Sequence, residues 1–431
     1  MHSTVTRTLF GAAILAGLVA APRADAEVKL LGTGVIPGTA TDNTGLTRTL
    51  EDGVTPENLI GGLGSAIAWT GVGDLYIATP DRGPADGATT YSDRAYLVRV
   101  RVRDAGNGSY SVTPWVLDTR LLKSERRRVF TGSAAAFDPT NSPASVRLDP
   151  EGVRVANCGG SFFVSDEYGP FLYEFGPNGR RKRAIALPTK LLVDYPSANP
   201  TDELKQNAFG RQANRGMEGL AISPDGTKLY GILQSPLIQD GGLGGASGTS
   251  RVGTNVRIVE VDLKTGSFRE FLYTLDKPGY GVSEILAVND RELLVLERDG
   301  TSGLTAVFKR VFKIDISEAT DIRGMKQLPS TGLPAGVVPV SKAPFLDLLV
   351  ALGVNSGTPE KFEGLAFGPD LNDGRHQLLV TVDNDFKTTQ ATAFYAFAID
   401  PGDLPGYEPQ AFGSCACEEN HDHAREHGQG W

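Results

Sequence analysis

The stretch Glu218-Gly219-Leu220-Ala221-Ile222, the turn Ser223-Pro224-Asp225-Gly226 and the run Lys228-Leu229-Tyr230-Gly231-Ile232 together decide the architecture. An apolar run, a Pro-Asp-Gly reversal and a second run of aliphatic and aromatic residues read as a β-hairpin. The same order of features returns along the chain. Pro150-Glu151-Gly152 leads to Ser161-Phe162-Phe163-Val164-Ser165 and the acids Asp166-Glu167. Ser283-Glu284-Ile285-Leu286-Ala287 leads to Leu293-Leu294-Val295-Leu296 and Glu297-Arg298-Asp299. Phe362-Glu363-Gly364-Leu365-Ala366-Phe367 leads to Leu378-Leu379-Val380-Thr381-Val382 and Asp383-Asn384-Asp385-Phe386. A variant stands first: Gly64-Ser65-Ala66-Ile67-Ala68-Trp69, Leu75-Tyr76-Ile77-Ala78 and Asp81-Arg82, with Ser65 at the place of the repeated Glu.

Third strands are predicted over 95–100, 171–175, 256–262, 310–316 and 394–400, each alternating apolar with polar residues. Fourth strands are predicted over 111–117, 183–187 and 268–275. Four antiparallel strands repeated along 431 residues describe an all-β chain, a β-propeller with five readable blades. The last unit lacks its own fourth strand, and residues 28–36 supply it, closing the ring between the two chain ends. A sixth blade has room within 188–216 or 331–361, although neither segment carries the Glu-Gly signal. With 241–253 they read as long surface loops, a common home for function.

The composition fits this picture, with 52 glycines for turns and 40% hydrophobic residues for a core. A net charge of -9 and a pI near 5.2 argue against nucleic acid as a partner. Residues 1–26 read as an export leader: Arg7, the apolar stretch 9–21 and the cleavage site Ala24-Asp25-Ala26. That stretch is too short for the ~20 residues of a spanning helix, so the chain is expected in the periplasm or secreted, with no membrane span. The propeller domain is expected over 27–412. The end, 413–431, holds Cys415, Cys417, His421, His423 and His427 and reads as a solvated tail, a soft-metal site being the alternative. The only other cysteine is Cys158.

Within a hairpin, the Glu that opens the first strand and the acids that close the second meet at one end. In a propeller that end is one mouth of the central channel. The expected ring is Glu151, Asp166, Glu167, Glu218, Glu284, Glu297, Glu363, Asp383 and Asp385, with Asp81, Arg82 and Arg298 in the same clusters. Crowded carboxylates need protons, arginine partners or cations. All-oxygen ligands select calcium over zinc. The alternative for each repeated Glu, above all Glu284, is a structural one, satisfying backbone donors where blades meet. Asp225 and Asp370 read as turn residues, and the basic runs 126–128 and 180–183 as solvated faces. Nucleophile-elbow, P-loop and zinc-protease motifs are absent, and His376 has no obvious partner for a catalytic triad.

These segments resemble bacterial exported proteins described as phytase-like, or "esterase-like activity of phytase". The resemblance lies in Gly61-Gly62-Leu63-Gly64-Ser65 with Asp81-Arg82, and in Asn214-Arg215-Gly216-Met217-Glu218-Gly219-Leu220. It continues in Val282-Ser283-Glu284 with Leu296-Glu297-Arg298-Asp299-Gly300, and in Phe362-Glu363-Gly364-Leu365 with Asp383-Asn384-Asp385-Phe386. It departs at Gln234, where other repeats carry an acid, and at Thr79-Pro80 before Asp81. The resemblance implies a propeller-like fold whose acids serve phosphate-ester hydrolysis. On that reading Glu151, Asp166, Glu218, Glu284, Glu363, Asp383 and Asp385 hold calcium, while Asp81, Arg82, Glu167, Glu297 and Arg298 act on a small anionic substrate. A calcium-dependent lactonase or carboxylic esterase, and a non-catalytic binding propeller, are the competing readings.

Overall fold

The computed structural model describes residues 28–413, apart from 107, 139, 141–143, 170 and 247; the expected leader and the cysteines and histidines of the tail lie outside the described residues. Four-stranded antiparallel blades form in chain order. Blade one is Ala66–Trp69, Leu75–Thr79, Arg94–Gly106 and Ser109–Leu121, and blade two is Pro150–Val155, Phe162–Asp166, Phe171–Phe175 and Arg181–Ile185. Blade three is Met217–Ile222, Lys228–Leu233, Asn255–Asp262 and Phe268–Thr274, and blade four is Gly281–Ala287, Glu292–Arg298, Lys309–Asp315 and Ser341–Asp347. Blade five is Phe362–Phe367, His376–Val382 and Thr392–Ile399, completed on its outer edge by Val28–Ile36 pairing with Thr392–Ile399. The fold is a five-bladed β-propeller closed by its N-terminal strand.

Neither long segment hides a sixth blade. Residues 188–216 carry the short turn Thr189–Leu191 and the helix Pro200–Gln206, capped by the Asn199 side chain. Residues 331–361 supply the outer strand of blade four, Ser341–Asp347, and the helix Leu348–Leu352. Pro344 masks that strand in the sequence, and an outer edge is where a sheet tolerates proline. The run 180–183 is not wholly solvated, since Arg181 is buried against Phe130 and Tyr173 and paired with Glu125. Among the described residues no helix is long and apolar enough to cross a membrane.

The inner strands are buried almost throughout, and the apolar clusters lie at the blade junctions. Neighbouring inner strands approach so closely that the Gly of the Glu-Gly pair has no room for a side chain. A Cβ on Gly152 would lie 2.7 Å from Leu220 Cβ, and one on Gly219 2.9 Å from Glu284 Cα.

The axis is filled. Arg154 of blade two donates through Nη1 to Ile67 O of blade one (2.9 Å) and through Nη2 to Ile285 O of blade four (2.8 Å). Its Nη2 also pairs with Glu284 Oε2 at 3.0 Å, and Glu284 Oε1 accepts from Leu220 N of blade three at 2.9 Å. Glu284 is thus an axial tie among blades and not a ligand at the mouth. Burial pushes its carboxyl up to about 7 despite Arg154. Below this plug, residues 404–413 cross the foot of the channel, with Glu408 N donating to Val288 O (2.8 Å) and Ala411 N to Pro224 O (2.8 Å). A residual cavity of about 50 Å³ remains beneath Arg154.

Arg154→Ala removes the only cation of a buried pair, which costs about 3 to 5 kcal/mol. Because the folded state raises the Glu284 pKa, its contribution is fully present at acid pH and is lost as pH rises from the ordinary 4.5 through about 7. The variant's deficit in urea unfolding should therefore be larger at pH 8 than at pH 5.

Candidate functional site

The register shows how each blade aims side chains into the mouth. The inner strand carries an extra residue where its pairing shifts: Glu151 between Pro150 and Gly152, Glu218 between Met217 and Gly219, and Ser283 between Val282 and Glu284. Glu363 lies in the corresponding shift between Phe362 and Leu365. A β-bulge re-aims its residue out of the pleat, here toward the axis. Ser65, just before Ala66–Thr79 pairing begins, completes the set. Blade four therefore presents Ser283, and Glu284 occupies the position that Gly152 and Gly219 hold elsewhere, one residue further into the channel.

The second strand leaves the mouth with a residue in each blade: Glu167, Gln234 and Asp383 one position beyond the last paired residue, Arg298 at it, and Asp81 two positions beyond. Alternation along a strand sends the preceding residue to the other side. That is why two expected mouth residues sit elsewhere. Asp166 Oδ1 accepts from the backbone of Asp149 (3.0 Å) and Tyr168 (3.1 Å), and Glu297 accepts from Tyr273 Oη (2.7 Å), Asp276 N (2.8 Å) and Lys342 Nζ (2.7 Å). Both are buried braces. Burial raises both, Asp166 to about 7.

The remaining acids gather in two trios whose ligand atoms lie within 4.8 Å of one another. The first is Asp81, Asp383 and Asp385, from blades one and five. Lys361 stands among them, with Nζ 2.8 Å from Asp383 Oδ2 and 3.6 Å from Asp81 Oδ2, and in contact with Asp385. Asp385 and Phe386 take left-handed φ of 53° and 55°, which turns the Asp385 carboxylate back toward Lys361. Burial opposes the charge on Lys361, yet Asp383, Glu363 and Asp81 hold it well above the usual range. Asn384 Oδ1 accepts from Gly62 N (3.0 Å), and Phe386 packs so close to Gly61 that a Cβ there would lie 2.4 Å from its ring. The Gly-Gly and Asp-Asn-Asp-Phe segments are thus the two halves of one junction.

The second trio is Asp149, Glu151 and Glu167, with Glu218 beside it. Arg82 flanks one side, its Nη1 3.0 Å from Asp149 Oδ2 and 3.9 Å from Glu167 Oε2. Glu167 Oε1 accepts from Gly216 N at 3.1 Å. Glu218 Oε1 accepts from Gln234 Nε2 at 2.6 Å, but its buried Oε2 receives no donor. Burial and the facing carboxylates raise Glu151 and Glu218 well above the ordinary range, and Asp149 to about 6. All donors here are oxygens, the four carboxylates face Arg82 directly with Arg215 and Arg298 further off, and Oε2 of Glu218 receives no donor. This group fits a hard divalent cation such as calcium, whereas the first trio already encloses an ammonium.

Cations line the rest of the mouth. Arg298 Nε donates to Ser283 Oγ (2.8 Å) and Nη2 pairs with Glu363 Oε1 (2.8 Å), while Ser65 Oγ donates to Glu363 Oε2 (3.2 Å). Arg215 Nη1 reaches Ser235 Oγ at 3.4 Å, and burial with the nearby Arg251 and Arg298 lowers its pKa to about 10. Asp149, Arg215 and Lys361 were missed as site residues in the sequence because they precede the inner strands instead of lying in the repeat. Their shared position, one or two residues before each inner strand, is the signal that finds them. A cavity of about 350 Å³ opens beside the first trio, lined in part by Ser356, Glu360, Lys361, Asp385 and Lys387. His376, far from this end, has Nδ1 2.9 Å from Asp370 and packs at a tilt against Tyr407, so it does have a partner, in the turn residue Asp370.

Fold and site define a class: a five-bladed propeller with a carboxylate-lined cup above a plugged axis. The sequence profile of the phytase-like family, "Esterase-like activity of phytase", matches residues 58–386, and the chain belongs to that family. A relative from Arthroderma benhamiae (strain ATCC MYA-4681 / CBS 112371), described as an "Uncharacterized secreted protein", is 27% identical over 468 residues, covering 84% of this chain and 88% of its own. Among solved structures, a member of the DUF4221 family from Bacteroides vulgatus aligns at 10% identity over 87% of this chain and 99% of its own, with a TM-score of 0.35. Kuenenia stuttgartiensis hydrazine synthase aligns at 12% identity over 75% and 78%, with a TM-score of 0.33. Likenesses at this level say nothing about chemistry.

Removing the internal ammonium should open the first trio to metal. Lys361→Gln is expected to bind one more equivalent of calcium than the wild type in calorimetric titration of chelator-stripped protein.

Proposed function

We propose that this protein is an exported, calcium-dependent hydrolase of phosphoric esters, with the cation held by Asp149, Glu151, Glu167 and Glu218. The observation that carries the reading is the juxtaposition of this unneutralised carboxylate group with the guanidinium groups of Arg82, Arg298 and Arg215 in one cup. Carboxylates alone repel an anionic ester, and arginines alone lack the acids. Their interleaving suits a phosphate bound between the two. Family membership supports the same chemistry, and the leader-like first residues with a relative described as secreted support export.

A divalent cation bound there supplies Lewis acidity toward a phosphoryl oxygen. Arg298, fixed by Ser283 and Glu363, and Arg215, held at Ser235, grip the non-bridging oxygens and stabilise charge developing on them. Arg82, braced by Asp149, keeps the cation ligands apart from the Asp81 trio. Glu363, raised by burial and oriented by Ser65, accepts a proton from the attacking water.

The test uses chelator-stripped mature protein, with phosphate release from phytate and p-nitrophenyl phosphate measured with and without calcium. Calcium-dependent release, reduced about 100-fold or more by Glu151→Gln and by Glu218→Gln, is expected. Tight calcium binding with no release from either ester overturns the reading and turns the search to lactones or to a non-catalytic binding role.

Protons compete with the cation for these raised carboxyls. Calcium affinity should weaken as pH falls through about 6, the range of Asp149, with proton release on binding measurable by calorimetry in buffers of different ionisation heat.

A further inference from the structure

We propose that Arg251 and Arg215 form an anion subsite on the rim of the cup, which receives an oxyanion of the substrate other than the group that reacts. The role of this subsite rests on the hydrolase reading; its existence does not. Of the five connections from a second strand to a third, all at the mouth, the one in blade three, residues 234–254, is the longest. It contains the hairpin Leu243–Gly244 and Ser250–Arg251, in which Leu243 pairs with Arg251.

Glycines root this hairpin against the turn that carries Arg215. A Cβ on Gly242 would lie 2.6 Å from both Gln212 Nε2 and Pro236 O, and one on Gly253 2.9 Å from Gly242 Cα. Gln212 O in turn accepts from Arg215 N at 3.1 Å. The exposed Arg251 is thereby held within electrostatic range of the cup. After burial, its charge is the main cause of the lowered Arg215 pKa, and Glu167 is the group that acts to raise Arg251 itself.

The two arginines are short of acceptors. Arg82 and Arg298 are paired with Asp149 and Glu363. Among the described residues neither Arg215 nor Arg251 joins an ion pair. Arg251 makes no side-chain hydrogen bond there, and Arg215 has only its 3.4 Å contact with Ser235, its buried Nε being without a partner. A shared oxyanion relieves the repulsion between two guanidinium groups and supplies the missing acceptors. Arg215 also adjoins Arg298: Gly281 pairs with Arg298 across blade four, and a Cβ on Gly281 would lie 3.3 Å from Arg215 Nη1. Arg215 thus stands between Arg298 in the cup and Arg251 on the rim, so one substrate can place its reacting group at the first and a second anionic group at the other.

Phenylglyoxal labelling of the full mature chain, mapped by peptide mass, tests the location. Inorganic phosphate should slow modification of Arg251 several-fold and leave that of the exposed Arg126 unchanged. Calorimetry then compares fructose 1,6-bisphosphate with fructose 6-phosphate, and 3-phosphoglycerate with glycerol 3-phosphate, each pair differing in one anionic group. The doubly anionic member of at least one pair should bind about 10-fold more tightly. Arg251→Gln should abolish that preference without weakening the singly anionic ligand, and Arg251→Lys should keep part of it. A preference in the first pair alone assigns the subsite to phosphate, and in both pairs to oxyanions in general. Equal affinities within both pairs, a preference that survives Arg251→Gln, or no protection of Arg251 by phosphate overturns the proposal. Calcium-dependent phosphate release judges the hydrolase reading separately: release without the preference removes only the subsite, and the preference without release leaves the subsite on a protein that binds and does not hydrolyse.

Discussion

Everything in this propeller is arranged around one charged pair on the axis. Arg154 and Glu284 connect the inner strands of four blades through carbonyls, an amide and each other. A buried pair is weak evidence for stability, because desolvation offsets most of the attraction. Its value here is geometric: inner strands packed without side chains at Gly152 and Gly219 leave carbonyls facing the axis, and a guanidinium with several donors is suited to join them. The pair also divides the channel into a cup above and a sealed foot below. Carboxylates at the floor of such a cup are shielded from water on one side, which is the main cause of their raised proton affinity.

The cup shows how repetition and function coexist. One bulge, repeated with small variations, aims Glu151, Glu218, Ser283 and Glu363 inward, and Ser65 joins them from just before its strand. Only the identity of the bulged residue changes, and serine replaces glutamate where an arginine or another blade's glutamate needs a partner. Crowded charge is then relieved differently in each sector. Lys361 neutralises the Asp81 trio from within, Arg298 bridges Ser283 to Glu363, and the Asp149 trio keeps a surplus that only a proton or a cation relieves. An uneven distribution of counter-charge inside an even scaffold is what makes one sector chemically special.

Much of the architecture was legible because strand alternation and the Glu-Gly spacing are local signals. The hairpins, the closing strand over 28–36 and the gathering of Glu151, Glu167, Glu218, Glu363, Asp81 and Asp383 at one end all follow from period-two reasoning. The same reasoning misled where a bulge or an offset of one residue intervened. Ser283-Glu284 reads as a copy of the Glu position, yet the bulge falls on Ser283 and sends Glu284 into the axis. Asp166 and Glu297 adjoin mouth-facing residues, and one step along a strand turns them outward into braces. Lys361 and Arg154 were illegible for a different reason. Arg154 reaches carbonyls and Glu284 in other blades, and Lys361 meets Asp383 and Asp385 of its own blade and Asp81 of blade one from a position just before the inner strand, so neither falls within the spacing of the repeated motif.

The clasp of blade five carries a kinetic consequence. Val28–Ile36 is made first and its partner Thr392–Ile399 nearly last, so the ring stays open until almost the entire chain has been synthesised. Loop closure on that scale is entropically costly, and the contact that seals the ring is the most non-local strand pairing among the described residues. Until the two pair, the outer edge of the Thr392–Ile399 strand and both edges of the early strand expose unpaired backbone, a template for a neighbouring chain. Two chains caught at that stage could exchange their first strands, giving a domain-swapped dimer with every blade intact.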